Sequence, residues 1–111
     1  MRIYVEQWRP TPAWLELDSE QRGKFMAQVG PDLQGVLEQG AEILALGAAD
    51  PTTAHHVGKD YFAVWSFPSL ELAREFERGI EAAGWYDYFE QVNLGGQAIP
   101  FEALVERLVE A

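Results

Sequence analysis

The sequence predicts an α+β fold in which four antiparallel strands and two main helices follow the ferredoxin-like order βαββαβ, with a further helix at the C-terminal end. Two observations carry this prediction. Segments with strand-like alternation and segments with helical periodicity follow one another in that order along the 111 residues. The inner strand segments are apolar on both faces, which is typical of a sheet that is covered on both sides.

Four segments have the composition of strands. Residues 2–9 alternate along the chain, and residues 41–47 and 60–67 are short runs of apolar and β-branched or aromatic residues. Residues 85–93 are rich in aromatic strand formers and supply the fourth strand, which Gly95–Gly96 is expected to end. The second and third strands are joined by about a dozen residues, which is long for a hairpin loop.

Three segments are predicted to be helical. Asp18 opens a capping box, so the first helix is expected to begin there and to continue to about Gln39, with Pro31 either kinking it or dividing it into two helices. Ser69 is the N-cap of the second main helix. Residues 101–110 form the tail helix. A single domain over residues 1–111 is expected, with its core at about residues 1–95 and the tail at about 100–110.

Composition excludes several classes of function. The net charge of −10 repels phosphate backbones and anionic membrane surfaces, so neither nucleic acid nor a membrane is an expected partner. The absence of cysteine excludes disulfides and thiolate catalysis. No apolar segment approaches the roughly 20 residues of a membrane span, and no signal peptide is apparent, so a cytoplasmic location is expected.

The apolar character of both sheet faces predicts a homodimer. Trp65 and its strand neighbours at 61, 63 and 67 occupy one face, while Phe62 and Val64 occupy the other. In the second strand, simple alternation would place Ile43 and Ala45 on one face and Leu44 and Leu46 on the other. Two helices cover only one face, and the other is larger than soluble monomers usually expose. A second copy is the preferred cover, and the alternative is that the tail helix folds back over this face.

The first strand, the third strand with its continuation Val64–Ser69, and the block Gly84–Asn93 together resemble the dimeric α+β barrel superfamily over about residues 1–95. The block looks like that of a small bacterial family with no assigned function. The resemblance implies two ferredoxin-like sheets packed face to face. The superfamily includes cofactor-free monooxygenases, small isomerases and haem proteins. Its haem-binding members use an axial histidine on or next to a helix, and neither main helix here has one, so no cofactor is expected.

The aromatic block supplies the first candidate site. Strand alternation would place Tyr86, Tyr88 and Glu90 on one face, and we expect them to wall a ligand pocket together with Trp65. Glu90 or Asp87 would be its polar anchor and catalytic acid or base. The alternative is that these aromatic residues form core packing only.

Two further groups are candidates. Glu6 and Trp8 share a face of the first strand, and a carboxylate in mid-strand either lies in a ligand pocket or pairs with a cation such as Arg2. His55 and His56 are the only histidines. With nearby aspartates they offer nitrogen and oxygen ligands, but their spacing matches no known motif, so an exposed loop is preferred to a metal site.

These observations predict a small-molecule-binding or enzyme-like dimeric barrel. If it is an enzyme, the resemblance favours a cofactor-free oxygenase or isomerase acting on a hydrophobic aromatic metabolite. The alternative from another class is a non-catalytic binding or assembly module. An enclosed cavity containing a buried carboxylate would favour the first, and a packed interior the second.

Overall fold

A computed structural model describes all 111 residues of the chain. The elements in chain order are β1 (Arg2–Pro10), α1 (Pro12–Leu15), α2 (Ser19–Glu38), β2 (Glu42–Ala48), β3 (Tyr61–Phe67), α3 (Leu70–Ala82), a 3₁₀ turn (Trp85–Asp87), β4 (Phe89–Gln97) and α4 (Phe101–Val109).

The four strands form one antiparallel sheet in the order β2-β3-β1-β4, which confirms the ferredoxin-like prediction. In the central strand β1, Val5 lies opposite Val64 of β3 and Leu94 of β4. Helices α2 and α3 pack on one face of this sheet, called here the helix face. The buried core between them comes from Tyr4, Trp65, Phe67, Val29, Val36, Phe76 and Ile80, among others.

The predicted helix starts are confirmed by their hydrogen bonds. Asp18 Oδ1 accepts a hydrogen bond from the backbone N–H of Gln21 at 2.8 Å, and Gln21 Oε1 accepts one from the Asp18 N–H at 3.0 Å. Ser69 Oγ accepts the Leu72 N–H at 3.1 Å. Helix α2 is one helix that contains Pro31, so the alternative of two helices is wrong.

The fourth strand differs from its prediction at both ends. Residues 85–87 form a 3₁₀ turn after Gly84, whose φ of 82° favours glycine, and β4 begins only at Phe89. The strand then continues through Gly95–Gly96. Gly95 lies beside the Tyr4 ring, and a Cβ atom there would be 3.4 Å from Tyr4 Cδ2, which is an ordinary van der Waals contact. The two glycines therefore lie inside the strand and do not end it.

A bulge in β2 changes which of its side chains share a face. The register shifts between Ile43, which lies opposite Trp65, and Ala45, which lies opposite Val64. Because the bulge inserts one residue, Ile43 and Leu46 both face the helices. The expectation that Ile43 shares a face with Ala45, and Leu44 with Leu46, is therefore wrong.

The opposite side of the sheet, called here the open face, is apolar. Its apolar side chains are Ile3, Val5, Phe62, Val64, Val92 and Leu94. Val92 is 44% exposed and Leu94 is 68% exposed. Helix α4 has no buried residue and does not cover this face. The radius of gyration is 16.1 Å, against about 13 Å for a compact chain of this length, so the single chain is extended. No helix is both long and apolar enough to span a membrane.

Gly47 on the open face should not tolerate a side chain. A Cβ atom there would lie 2.4 Å from Cζ of the Phe62 ring, so Gly47→Ala must displace the ring. We expect a loss of about 1 kcal/mol in the free energy of unfolding. Gly96→Ala is the control, because nothing lies within 4 Å of its added methyl group. Denaturant unfolding that shows equal stabilities for the two variants would contradict the prediction.

Candidate functional site

A cavity of about 210 Å³ lies between the helix face of the sheet and helices α2 and α3. Its lining is almost entirely apolar, and its single charged side chain is Glu6. The lining residues are Glu6, Trp8, Met26, Val29, Gly30, Leu33, Ile43, Leu46, Ala63, Trp65, Phe76, Ile80 and Trp85. The solvent-exposed members are Met26, Gly30, Ile43 and Leu46, which places the mouth beside the edge strand β2.

Glu6 is the only buried charged residue, with 6% of its surface exposed. It lies in the middle of β1, with β3 on one side and β4 on the other. Trp65 Nε1 donates a hydrogen bond to Glu6 Oε1 at 2.8 Å, and Gln91 Nε2 donates one to Glu6 Oε2 at 2.8 Å. Both donors are diagonal neighbours on the same sheet face, which is within reach of long side chains. Each carboxylate oxygen therefore has one protein donor.

The orientation of the Gln91 amide is fixed by a third side chain. Trp85 Nε1 donates to Gln91 Oε1 at 2.8 Å, and an indole N–H can only donate. The amide nitrogen must then point the other way, where it donates to Glu6 and also to Asn93 Oδ1 at 2.8 Å. The chain of bonds from Trp85 through Gln91 to Glu6 is thus directional, and it presents donors to the carboxylate.

The electrostatic state of Glu6 reflects two opposing effects. Burial raises the pKa of its carboxyl group, because the charged form loses hydration. The hydrogen bonds from Trp65 and Gln91 lower the pKa, but they do not cancel the effect of burial. A carboxyl group with a raised pKa inside a cavity is a candidate acid or base.

The raised pKa of Glu6 predicts a pH dependence of stability. Between the ordinary glutamate pKa of 4.5 and the higher folded value, the folded state binds more protons than the unfolded state. The contribution of Glu6 to the free energy of unfolding should therefore be greatest below pH 4.5 and fall as the pH rises through this window. The difference between wild type and Glu6→Gln, measured by denaturant unfolding at fixed protein concentration, isolates this contribution. A difference that does not change with pH would contradict the prediction.

The structure brings together three of the predicted ligand-binding residues. Glu6, Trp8 and Trp65 all line the cavity. The alternative that Glu6 pairs with a cation is wrong, since no salt bridge includes it. Tyr86 and Tyr88 do not line the cavity. Tyr88 instead packs edge-on against Phe25 and Trp14.

The expected position of the two other carboxylates is corrected by the structure. Asp87 is exposed on the 3₁₀ turn, and neither it nor Glu90 lines the cavity. Glu90 lies on the open face and forms a 2.6 Å ion pair with Arg9. The physical reason is the turn at residues 85–87, which moves the start of β4 and breaks the alternation assumed for the block. The only charged side chain in the lining of this cavity is Glu6.

Sequence reasoning missed two members of the Glu6 network, Trp85 and Gln91. Both belong to the block that was singled out, but they were not assigned to the site. The signal that could have found Gln91 is the strand order, because a ferredoxin-like sheet places the fourth strand beside the first. A buried carboxylate on the first strand needs donors from its two neighbouring strands.

The histidine loop does not form a cluster of ligands. No three His, Asp or Glu side chains anywhere in the chain are close enough to hold a metal ion together. His56 Nδ1 accepts a hydrogen bond from the Gly58 N–H at 3.0 Å, and Asp50 accepts two from Thr52. These local bonds are those of turns in an exposed connection.

A second groove of about 200 Å³ lies at the other end of the helix face, near Tyr4. Three of its polar side chains already bond one another, since Glu77 accepts a hydrogen bond from the Tyr4 hydroxyl at 2.8 Å and pairs with Arg74 at 2.7 Å. Burial and the Glu77 carboxylate raise the pKa of the Tyr4 phenol, which keeps it protonated. This groove is therefore a weaker candidate than the cavity at Glu6.

Solved structures with this fold are diverse in sequence. A chlorite dismutase variant from Candidatus Nitrospira defluvii matches with a TM-score of 0.74 and 16% identity, over 96% of this chain and 43% of its own. A protein from Arabidopsis thaliana matches with a TM-score of 0.61 and 10% identity, over 90% of this chain and 97% of its own. A dimeric ferredoxin-like protein of unknown function from Thermobifida fusca matches with a TM-score of 0.52 and 13% identity, over 87% and 90% of the two chains.

These likenesses establish the fold and not the activity, because the identities are low. The chain spans less than half of the length of the chlorite dismutases that it matches. No curated protein matches it significantly. The model of one protein family matches every residue from 1 to 111, and this chain with its ferredoxin-like α+β fold therefore belongs to DUF6616, a family of unknown function.

Proposed function

We propose that this protein binds a small, largely apolar molecule in the cavity between the sheet and helices α2 and α3, with Glu6 as the polar anchor. The observation that carries the proposal is the combination of an apolar lining with one buried carboxylate. Ligand pockets typically have apolar walls and a few placed polar groups that orient the ligand. A cavity kept only for packing has no use for a charge, which is costly to bury.

The volume of the cavity limits the ligand to one ring. A dry apolar cavity of about 150 Å³ is large enough for benzene. The cavity here, of about 210 Å³, therefore admits a single aromatic ring with a short substituent. Its aromatic side chains are Trp8, Trp65, Phe76 and Trp85. These walls favour a flat molecule.

The same geometry supports an enzyme of the cofactor-free isomerase or oxygenase type. Glu6 would act as the base that takes a proton from the substrate, and its raised pKa makes it a better proton acceptor than an exposed carboxylate. The alternative is a non-catalytic binding protein, in which Glu6 only orients the ligand. Turnover that Glu6→Gln abolishes without loss of binding would separate the two.

We also infer that the working protein is a homodimer in which two open faces pack together. The support is the apolar open face, the exposed Leu94 and Val92, and the fold shared with a dimeric protein. Any catalytic role of Glu90 would be at the interface between the two open faces and not in the cavity, because Glu90 and Arg9 lie on the open face. Asp87 is exposed on the turn at residues 85–87 and does not line the cavity.

Filling the mouth of the cavity should weaken ligand binding. Gly30 lies at the mouth on α2, and nothing lies within 4 Å of a Cβ atom added there, so Gly30→Leu can be accommodated. We expect it to weaken binding of 2-phenylethylamine or 2-phenylethanol by at least about tenfold, measured by tryptophan fluorescence, because the leucine occupies ligand space. Its stability should not fall, since leucine is the better helix former.

The matched control is Gly23→Leu in the same helix. Gly23 also has nothing within 4 Å, but it does not line the cavity, so this variant should bind as wild type does. If neither probe binds the wild-type protein, or if Gly30→Leu and Gly23→Leu bind equally well, the cavity is not the ligand site.

A further inference from the structure

We infer that the cavity selects an organic cation, namely a protonated primary amine carried on a single ring or a short apolar body. This inference rests on the proposed ligand site and adds the charge of the ligand. It follows from three features of the cavity: an uncompensated carboxylate, free acceptor capacity on that carboxylate, and walls made of tryptophan.

The carboxylate of Glu6 has no cationic partner in the protein. The salt bridges of the chain join Arg9 to Glu90, Lys24 to Glu20 and Arg74 to Glu77, and all three are outside the cavity. No lysine, arginine or histidine is among the lining residues. A buried charge is normally paired, so the missing partner is a positive charge that arrives with the ligand.

Glu6 also has acceptor capacity left for a donor from the ligand. An ionised carboxylate offers about four lone-pair sites. The protein uses one on each oxygen, through Trp65 and Gln91. Both of these donors are neutral, so they fix the direction of the carboxylate without cancelling its charge. An ammonium group can then add a charge-assisted hydrogen bond, which is stronger than a neutral one.

The walls suit a cation equally well. Trp8, Trp65 and Trp85 all line the cavity, and tryptophan is the side chain whose face attracts cations most strongly. The Trp8 and Trp85 rings are close, with centroids 6.0 Å apart in an edge-on arrangement. The cavity is unsuited to an anion, because the Glu6 carboxylate would repel it.

The charge of the whole chain acts in the same direction. Its net charge of −10 concentrates small cations near the surface and excludes anions. This effect is not specific to one site, and salt weakens it. Selectivity at the cavity must therefore be measured at fixed ionic strength and must depend on Glu6 itself.

The test compares three probes of similar size: 2-phenylethylamine, 2-phenylethanol and phenylacetate. At neutral pH and constant salt, tryptophan fluorescence or calorimetry should give an affinity for the amine at least about tenfold higher than for the alcohol. Phenylacetate should bind more weakly than the alcohol. If the amine binds no more tightly than the alcohol, the inference is overturned while the proposed ligand site stands. If none of the three binds, the proposed site itself fails.

An exchange of two side chains tests the role of Glu6. In Glu6→Gln/Gln91→Glu the carboxylate moves from the cavity lining to position 91, which is not part of the lining. Position 91 can still accept from Trp85, and a glutamine at position 6 can still accept from Trp65. The total charge is unchanged, so long-range steering is retained. We expect the preference for the amine to fall to within about threefold of the alcohol. A preference that survives the exchange overturns the inference, and the wild-type probe series decides it alone if the exchanged variant does not fold.

Discussion

Replacing Leu94 by aspartate is expected to convert the protein from a dimer into a folded monomer. In the single chain Leu94 is 68% exposed on the open face, so a charge there remains hydrated and the fold should persist. In the proposed dimer the same position is buried against the partner sheet, where an unpaired charge costs several kcal/mol. The dissociation constant should therefore rise by about a hundredfold or more.

Light scattering at micromolar concentration measures this change. Wild type should show about twice the chain mass of 12.5 kDa, and Leu94→Asp should show the chain mass with an unchanged circular dichroism spectrum. Leu15→Asp is the matched control, because Leu15 is 61% exposed but lies on α1, away from the open face. Wild type that is monomeric at all concentrations, or equal masses for the two variants, would contradict the prediction.

The general plan of the fold was predictable because local signals and the hydrophobic pattern agree. The capping box at Asp18 and the N-cap at Ser69 give the helix starts, and the alternation in β1 and β3 gives the strands. The features that were mispredicted depend on tertiary packing. Aromatic residues suit both a strand and the 3₁₀ turn at residues 85–87, and the pair Gly95–Gly96 is typical of a turn although β4 continues through it.

The candidate site was predictable in part for a related reason. A carboxylate in mid-strand is unusual, and that alone identified Glu6 and its neighbour Trp8. The choice of Glu90 as the anchor depended on the face of β4 that it occupies, and the turn before Phe89 decides that face. The partners of Glu6 come from strands 59 and 85 residues away along the chain, so only the sheet register reveals them.

The directional hydrogen bonds around Glu6 predict that single substitutions at positions 6 and 91 are destabilising. Trp65 and Trp85 can only donate, so the two side chains between them must be ordered as acceptors of those bonds. Glutamate at position 6 and glutamine at position 91 meet this requirement. The reverse order, glutamine at 6 and glutamate at 91, also meets it, although the bond from Gln91 Nε2 to Asn93 Oδ1 is then lost. Glutamine at both positions leaves two amide donors facing each other, and glutamate at both positions leaves two carboxylates facing each other.

Gln91→Glu alone should therefore be strongly destabilising. It places a second carboxylate where the present donor lies 2.8 Å from Glu6 Oε2, with no cation nearby. A half-buried carboxylate and a buried one at this distance repel, and the free energy of unfolding at neutral pH should fall by about 3 kcal/mol or more. The loss should be smaller at acid pH, since one shared proton relieves the repulsion and the folded state then binds more protons than the unfolded state.

Adding Glu6→Gln to this variant should restore most of the lost stability. The glutamine at position 6 accepts from Trp65 with its oxygen and donates to the new carboxylate with its nitrogen, and Trp85 still donates to position 91. The Glu6→Gln single variant is the remaining corner of the cycle, and it leaves its amide nitrogen facing the Gln91 donor. Denaturant unfolding of all four proteins at neutral pH should give a favourable coupling energy of about 2–3 kcal/mol between the two substitutions. Additive effects would mean that the order of donors and acceptors from Trp85 to Trp65 does not hold Glu6 in place.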